Sequence, residues 1–169
     1  MEKEFFKFNN TAINSIKDVL IKKELTLAVA ESVTGGFLQA ALTQAGNASA
    51  FFHGGITAYN LGQKARHLHI NTISAEKYNC VSKNVSEEMA LSVTKMFGSD
   101  YGIAITGYAS PLPEMGILKL YAHVAYSYRD RIIMSRKINA TNIKEGMAAQ
   151  LFYTNKILTA FDNLLKIKR

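Results

Sequence analysis

Three short apolar runs constrain this chain more than anything else in it: residues 25–30 (LTLAVA), 54–59 (GGITAY) and 101–106 (YGIAIT). Each is too short for an ordinary helix, too apolar to leave one face in water, and runs into a turn that contains glycine. Runs of this kind are strands buried on both faces of a parallel or mixed sheet, so the segments between them must cover that sheet. Those segments carry helical patterns. Residues 4–23 place Phe5, Phe8, Ala12, Ile16, Val19 and Leu20 at near-helical spacing among lysines and asparagines, which predicts an amphipathic helix. After LTLAVA the chain turns through Glu31-Ser32-Val33-Thr34-Gly35-Gly36 into FLQAALTQA, a run of helix formers stopped by Gly46. Asn60 can cap a helix that carries Lys64 one turn in. Residues 69–83 show neither period. Ser86-Glu87-Glu88 is expected to open a helix with Met89, Val93, Met96 and Phe97 on one face, ended by Gly98.

Residues 108–116 hold both prolines and read as a loop. Residues 118–128 and 131–138 read as two strands joined at Arg129-Asp130, and 143–167 return to a helical pattern. The expectation is an α/β fold: a single three-layer domain over 1–169, with a mixed sheet of about five strands covered by helices on both faces. The helix near 4–23 would pack on it. In open sheets of this kind, ligands collect at the C-terminal ends of the strands.

Composition removes several alternatives. Of 169 residues, 48% are hydrophobic and 20% charged, enough apolar side chain for a packed core and too much for a disordered chain. No stretch reaches the roughly 20 apolar residues of a membrane-spanning helix, and the opening MEKEFFKFNN lacks the form of a secretory signal. A single cysteine, Cys80, excludes an internal disulfide and a structural zinc site. These features predict a cytoplasmic protein without a membrane partner. The net charge of +7 is spread along the chain and organised by no nucleic-acid-binding motif, so specific binding to nucleic acid is not expected.

Three clusters can carry chemistry. The two glycines of Glu31–Gly36 sit at a helix start, where free N–H groups favour an anion or a developing oxyanion, with the Ser32 hydroxyl beside them. The plainer alternative is a capping hydroxyl and glycines needed only for the turn. Tyr59 and Lys64 form the second cluster. Lysine can take a proton from serine only if burial or nearby cations lower its pKa from about 10.4. Thr106-Gly107 is the third, equally open to a reading as ordinary turn chemistry. His67 and His69 are two apart with no carboxylate near, which argues against a metal. Cys80 reads as a small buried filler.

Taken together, these residues resemble a known family. Glu31-Ser32-Val33-Thr34-Gly35-Gly36 is similar to the E-S-C-T-G-G signature of the CinA C-terminal domain, the nicotinamide mononucleotide deamidase family. Ala48-Ser49-Ala50-Phe51-Phe52, Gly54-Gly55-Ile56-Thr57-Ala58-Tyr59-Asn60 and Lys64 resemble its G-A-S-x-x-F-x-G-G-x-x-A-Y-x-x-x-x-K segment. Val81-Ser82 and Val85-Ser86-Glu87-Glu88-Met89-Ala90 look like its V-S-x-E-x-A helix start, and Gly102-Ile103-Ala104-Ile105-Thr106-Gly107 its strand ending in T-G. The likeness runs from about residue 12 to about 165 and looks like the stand-alone form of the family. It implies hydrolysis of a nicotinamide carboxamide to the carboxylate with release of ammonia, on a small nucleotide substrate, without metal or other cofactor. Ser32 would be nucleophile, Lys64 its base and Tyr59 a helper. Thr34, Gly35, Gly36, Ser49, Thr106 and Gly107 would bind substrate. A homo-oligomer is implied too, to which Phe5, Phe6 and Phe8 would contribute.

The chain departs from the family pattern in three places. Val33 stands where the family has Cys. The loop after Thr106-Gly107 reads Tyr108-Ala109-Ser110-Pro111-Leu112-Pro113 in place of I-A-G-P. Near the end, Asn142 and Gly146 occupy the positions of two arginines, the first of which would pair with the substrate phosphate; Lys144 offers only a point charge there. Two readings follow: an amidohydrolase, or a homologue that binds a nucleotide-like ligand without turning it over. The catalytic one requires Lys64 to be at least partly buried within reach of Ser32 or Tyr59. It also requires Glu31, by strand alternation, to face away from them.

Overall fold

The structure is a computed structural model that describes residues 7–167. In chain order its main elements are α1 (Asn10–Lys22), β1 (Leu27–Glu31), α2 (Phe37–Leu42), β2 (Phe52–Thr57), α3 (Leu61–Leu68) and α4 (Thr72–Lys77). They continue with α5 (Lys83–Phe97), β3 (Tyr101–Gly107), β4 (Tyr121–Tyr128), β5 (Arg131–Asn139) and α6 (Met147–Ile167). The five strands form one mixed sheet in the order β2-β1-β3-β4-β5. Strands β2, β1 and β3 run parallel, and β4 and β5 return antiparallel through a tight turn in which Arg129 takes a left-handed φ of 55°. The expected α/β sandwich, with a five-stranded mixed sheet covered on both faces, is the fold observed.

The alternation of side chains along the strands sorts the core into two unlike halves. Leu27, Val29, Tyr101, Ile103, Ile105, Val124 and Tyr126 fill one face and pack with α1, α2 and α6. The opposite face is made of Ala28, Ala30, Ala104 and Ala125, which let α5 lie close to the sheet through Val85, Met89, Ala90 and Val93. Gly102 is part of this close approach: a Cβ there would lie 2.5 Å from the Ala90 carbonyl oxygen and 2.5 Å from Ser127 Oγ. We expect Gly102→Ala to destabilise the protein by about 2 kcal/mol through overpacking. Denaturant unfolding checks this, and an unchanged midpoint would count against the close-packing account.

Element boundaries moved where tertiary contacts outweigh local pattern. Helix α1 starts at Asn10 rather than near residue 4. Asn9 caps it, its side chain accepting the Ala12 N–H at 3.1 Å while its own N–H is donated to Asn155 Oδ1 at 2.8 Å. Phe8 therefore precedes the helix and meets the Phe37 ring edge-on at 6.4 Å; Phe5 and Phe6 lie outside the described residues. Helix α5 opens at Lys83, three residues before the expected start, because Ser82 is the cap and accepts the Val85 N–H at 3.2 Å. Met96 is exposed, one step off the stripe that faces the sheet. The unreadable stretch 69–83 contains α4, capped by Asn71, followed by Asn79 and Cys80 in left-handed backbone. Strand β4 begins at Tyr121 and α6 at Met147, each later than expected. Among the described residues, no helix is long and apolar enough to cross a membrane.

Candidate active site

Because β1, β2 and β3 are parallel, the segments after Glu31, Thr57 and Thr106 emerge at one edge of the sheet. Strand β1 has β2 on one side and β3 on the other, so its end is the place where successive connections leave in opposite directions and open a crevice. A cleft of about 550 Å³ lies there, with Ser32, Lys64, Cys80, Thr106 and Tyr108 among its walls.

Lys64 is the unusual residue in it. Asn60 caps α3, accepting the Gln63 N–H at 3.0 Å, and this sets Lys64 one turn in with its side chain directed back towards β1. The side chain is 1% exposed. Its Nζ lies 2.9 Å from Ser32 Oγ, 2.9 Å from the Ala58 carbonyl oxygen and 3.2 Å from that of Tyr59. No carboxylate is among these partners. Burial therefore dominates and lowers the Lys64 pKa, with the Cys80 thiol acting weakly in the other direction. A neutral amine has two hydrogens and one lone pair. Two carbonyls accept the hydrogens, which leaves the lone pair for the Ser32 hydroxyl proton.

Glu31 faces the other way. It is fully buried and accepts N–H groups from Gly36 at 3.1 Å, Leu38 at 3.0 Å and Gln39 at 2.9 Å, closing the open end of α2. These bonds occupy part of the donor set expected to serve an anion at Thr34, Gly35 and Gly36. The Gly36 amide serves Glu31, the Gly35 amide bonds the Ser32 carbonyl oxygen at 3.1 Å, and none of the three residues lines the cleft. The glycines are needed for the turn, with φ of 60° and 105°. Val33 does line the cleft, and among the described residues its N–H has no acceptor.

Other expected site residues divide. Thr106 is buried and lines the cleft, with its hydroxyl donated to the Cys80 carbonyl oxygen at 2.7 Å. Gly107 lines it through its backbone, and its lack of a side chain answers to Ala122, whose Cβ would lie 2.5 Å from an added Cβ. Tyr59 reaches Lys64 by its carbonyl oxygen rather than its hydroxyl, and its side chain stands 72% exposed at the cleft mouth. Ser49 does not line the cleft: it is exposed in the turn Ala48–Ala50 before β2, at the opposite end of the parallel strands from Ser32. Asn142 and Gly146 do not line it either, and both adopt left-handed backbone (φ 60° and 69°), which Asn and Gly tolerate better than Arg.

Sequence reasoning missed Glu76, Asn79 and Cys80, all of which line the cleft. They come from the segment with no readable period. Cys80 was expected to be a filler, yet it faces Lys64 closely enough for each to alter the titration of the other. The one available hint was the position of this segment, between the lysine helix and the next strand.

An open α/β sheet with a buried serine–lysine pair at the ends of its parallel strands defines the class of protein. The profile of the CinA C-terminal domain matches residues 9–145, and the chain belongs to that family. A protein of Mycoplasma genitalium is 35% identical over 153 residues, covering 90% of this chain and 96% of that protein. A CinA-like protein of Dictyoglomus thermophilum is 36% identical over 148 residues, 78% of this chain but only 36% of its own length. The chain likewise spans 34% of a relative from Natranaerobius thermophilus and 25% of one from Rippkaea orientalis. The crystal structure of a competence-damaged protein (CinA) superfamily protein from Klebsiella pneumoniae superposes with a TM-score of 0.87 at 25% identity, covering 95% of this chain and 99% of that one.

Proposed function

We propose that this protein is a serine–lysine amidohydrolase that converts a nicotinamide-type carboxamide to the carboxylate and ammonia. The observation that carries the reading is the fully buried Lys64 amine 2.9 Å from Ser32 Oγ with no carboxylate to hold it charged. In this reading Ser32 Oγ attacks the carboxamide carbon as its proton passes to Lys64 Nζ. The carbonyl oxygen becomes an oxyanion, for which the unengaged Val33 N–H is the adjacent donor. Lys64 then protonates the departing nitrogen, ammonia leaves, and a water activated by the same amine releases the carboxylate from Ser32. Membership of the CinA C-terminal domain family supports this reading through the matching positions of Ser32 and Lys64.

Ammonia release from nicotinamide, its riboside and its mononucleotide is the direct test. We expect turnover on at least one of the three, reduced about 10³-fold or more in Ser32→Ala. Equal rates in wild type and Ser32→Ala would remove the claim. A second reading, a homologue that binds without turnover, draws on Asn142 and Gly146 lying outside the cleft lining. It predicts a ligand-induced rise in thermal stability with no ammonia formed.

A further inference from the structure

The charges on the cleft walls bear on which carboxamide can enter. Only two of the lining side chains, Lys64 and Glu76, are ordinarily charged at neutral pH. Lys64 has no reach towards a ligand phosphate, because Ser32, Ala58 and Tyr59 surround its amine and leave it 1% exposed. Glu76, on the last turn of α4, is exposed at the rim and makes no ion pair or side-chain hydrogen bond among the described residues. Its charge is felt inside the cleft. Burial is the main reason that the Cys80 thiol titrates above its ordinary value, but Glu76 adds to the rise while Lys64 opposes it. No arginine lines the cleft among the described residues, and Lys144 is exposed outside it. A dianionic phosphate in this cleft would find no bidentate partner and would face a carboxylate. A pyridinium carrying a neutral sugar would meet that carboxylate as a counter-charge.

We infer that the cleft takes its carboxamide without a phosphate, as a cationic nucleoside rather than a nucleotide, and that Glu76 is the residue that sets this preference. The inference rests on the amidohydrolase reading for its chemistry and on Glu76 for its selectivity.

Two measurements keep the two apart. The first compares kcat/KM for ammonia release from nicotinamide riboside and nicotinamide mononucleotide at about 0.15 M salt, where distant surface charge is screened. The second measures binding of the same two compounds to Ser32→Ala by calorimetry, which needs no turnover. The riboside should be favoured about tenfold in both. Glu76→Lys, at an exposed position that does not threaten folding, should reverse the preference, and Glu76→Gln should reduce it by about half that span on a logarithmic scale. Tighter or equal binding of the mononucleotide by Ser32→Ala overturns the inference, as does a preference unmoved in Glu76→Lys or binding of neither compound. Ammonia release with the mononucleotide preferred overturns the inference and leaves the amidohydrolase reading standing. Riboside-selective binding without any ammonia from the wild-type protein supports the inference about charge and sinks the chemistry.

Discussion

Lys64→Met should reduce ammonia release by about 10³-fold while leaving the protein folded. Methionine is close to lysine in length and apolar, so it can occupy the buried channel along α3 without the cost of burying an amine. What it removes is the proton acceptor 2.9 Å from Ser32 Oγ. Rates within tenfold of wild type would exclude Lys64 as the base. The same variant tests the protonation state through stability. Burial lowers the folded-state pKa of Lys64, so the unfolded chain binds more protons than the folded one in the interval between that lowered value and the ordinary lysine value of 10.5. Stability from this group must therefore rise with pH through that interval. Below it both states are charged and the burial penalty is fully present; above it both are neutral and the penalty is gone. Activity should climb along the same lower limb as the free amine forms. Paired denaturation series should show the rise in wild type and its loss in Lys64→Met; parallel curves would mean that the buried amine is not what titrates.

The second large effect is expected at Glu31, a residue with no place in the chemistry. Its carboxyl group accepts three main-chain N–H groups at the start of a six-residue helix too short to form unaided. In Glu31→Ala those donors lose their partner, the Leu38 N–H in a buried place and the Gly36 and Gln39 N–H groups in partly buried ones, and a cavity opens beneath the turn that carries Ser32. At about 1–3 kcal/mol for each unsatisfied buried donor, with some recovered by relaxation, the loss should be about 3–5 kcal/mol. Glu31→Gln keeps one acceptor oxygen and the volume, and should lose less than half as much. Urea unfolding followed by circular dichroism distinguishes them. A loss below 1 kcal/mol in Glu31→Ala would mean that water replaces the carboxyl group and that the turn holds itself. Because Glu31 and Ser32 are adjacent on one turn, Glu31→Ala should also lower turnover without changing its pH dependence.

Both effects trace to a six-residue stretch visible from the start, yet its geometry was legible only in part. Strand alternation alone is enough to send Glu31 and Ser32 to opposite sides, and β1 does so. Alternation does not say what waits there. Once Glu31 occupies the start of α2, the Gly36 amide is engaged by its carboxyl group and the Gly35 amide by the Ser32 carbonyl oxygen, which spacing along the chain does not reveal. Ser49 lies outside the cleft lining for a different reason. Its neighbours in the chain run into a strand of the site, but it stands before that strand, and parallel pairing carries the two ends of β2 to opposite edges of the sheet.

What the sequence determined by itself is what depends on local period and local chemistry. Strands β1 and β3 follow from apolar runs and are buried, whereas β2, from the remaining run, is an edge strand whose residues stay half-buried or exposed. The cap at Asn60 and the stop at Gly98 follow from short polar or glycine signals, and the nearness of Lys64 to Ser32 from their strand-end positions in a sheet with parallel strands. Tertiary structure alone decided the rest. Glu76, Asn79 and Cys80 carry no period because α4 is a single short helix held by its neighbours, and only the packing of that helix against α3 turns them to the cleft. The protonation of Lys64 belongs to the same category: desolvation is a property of the volume around an amine, and no spacing along a chain encodes it.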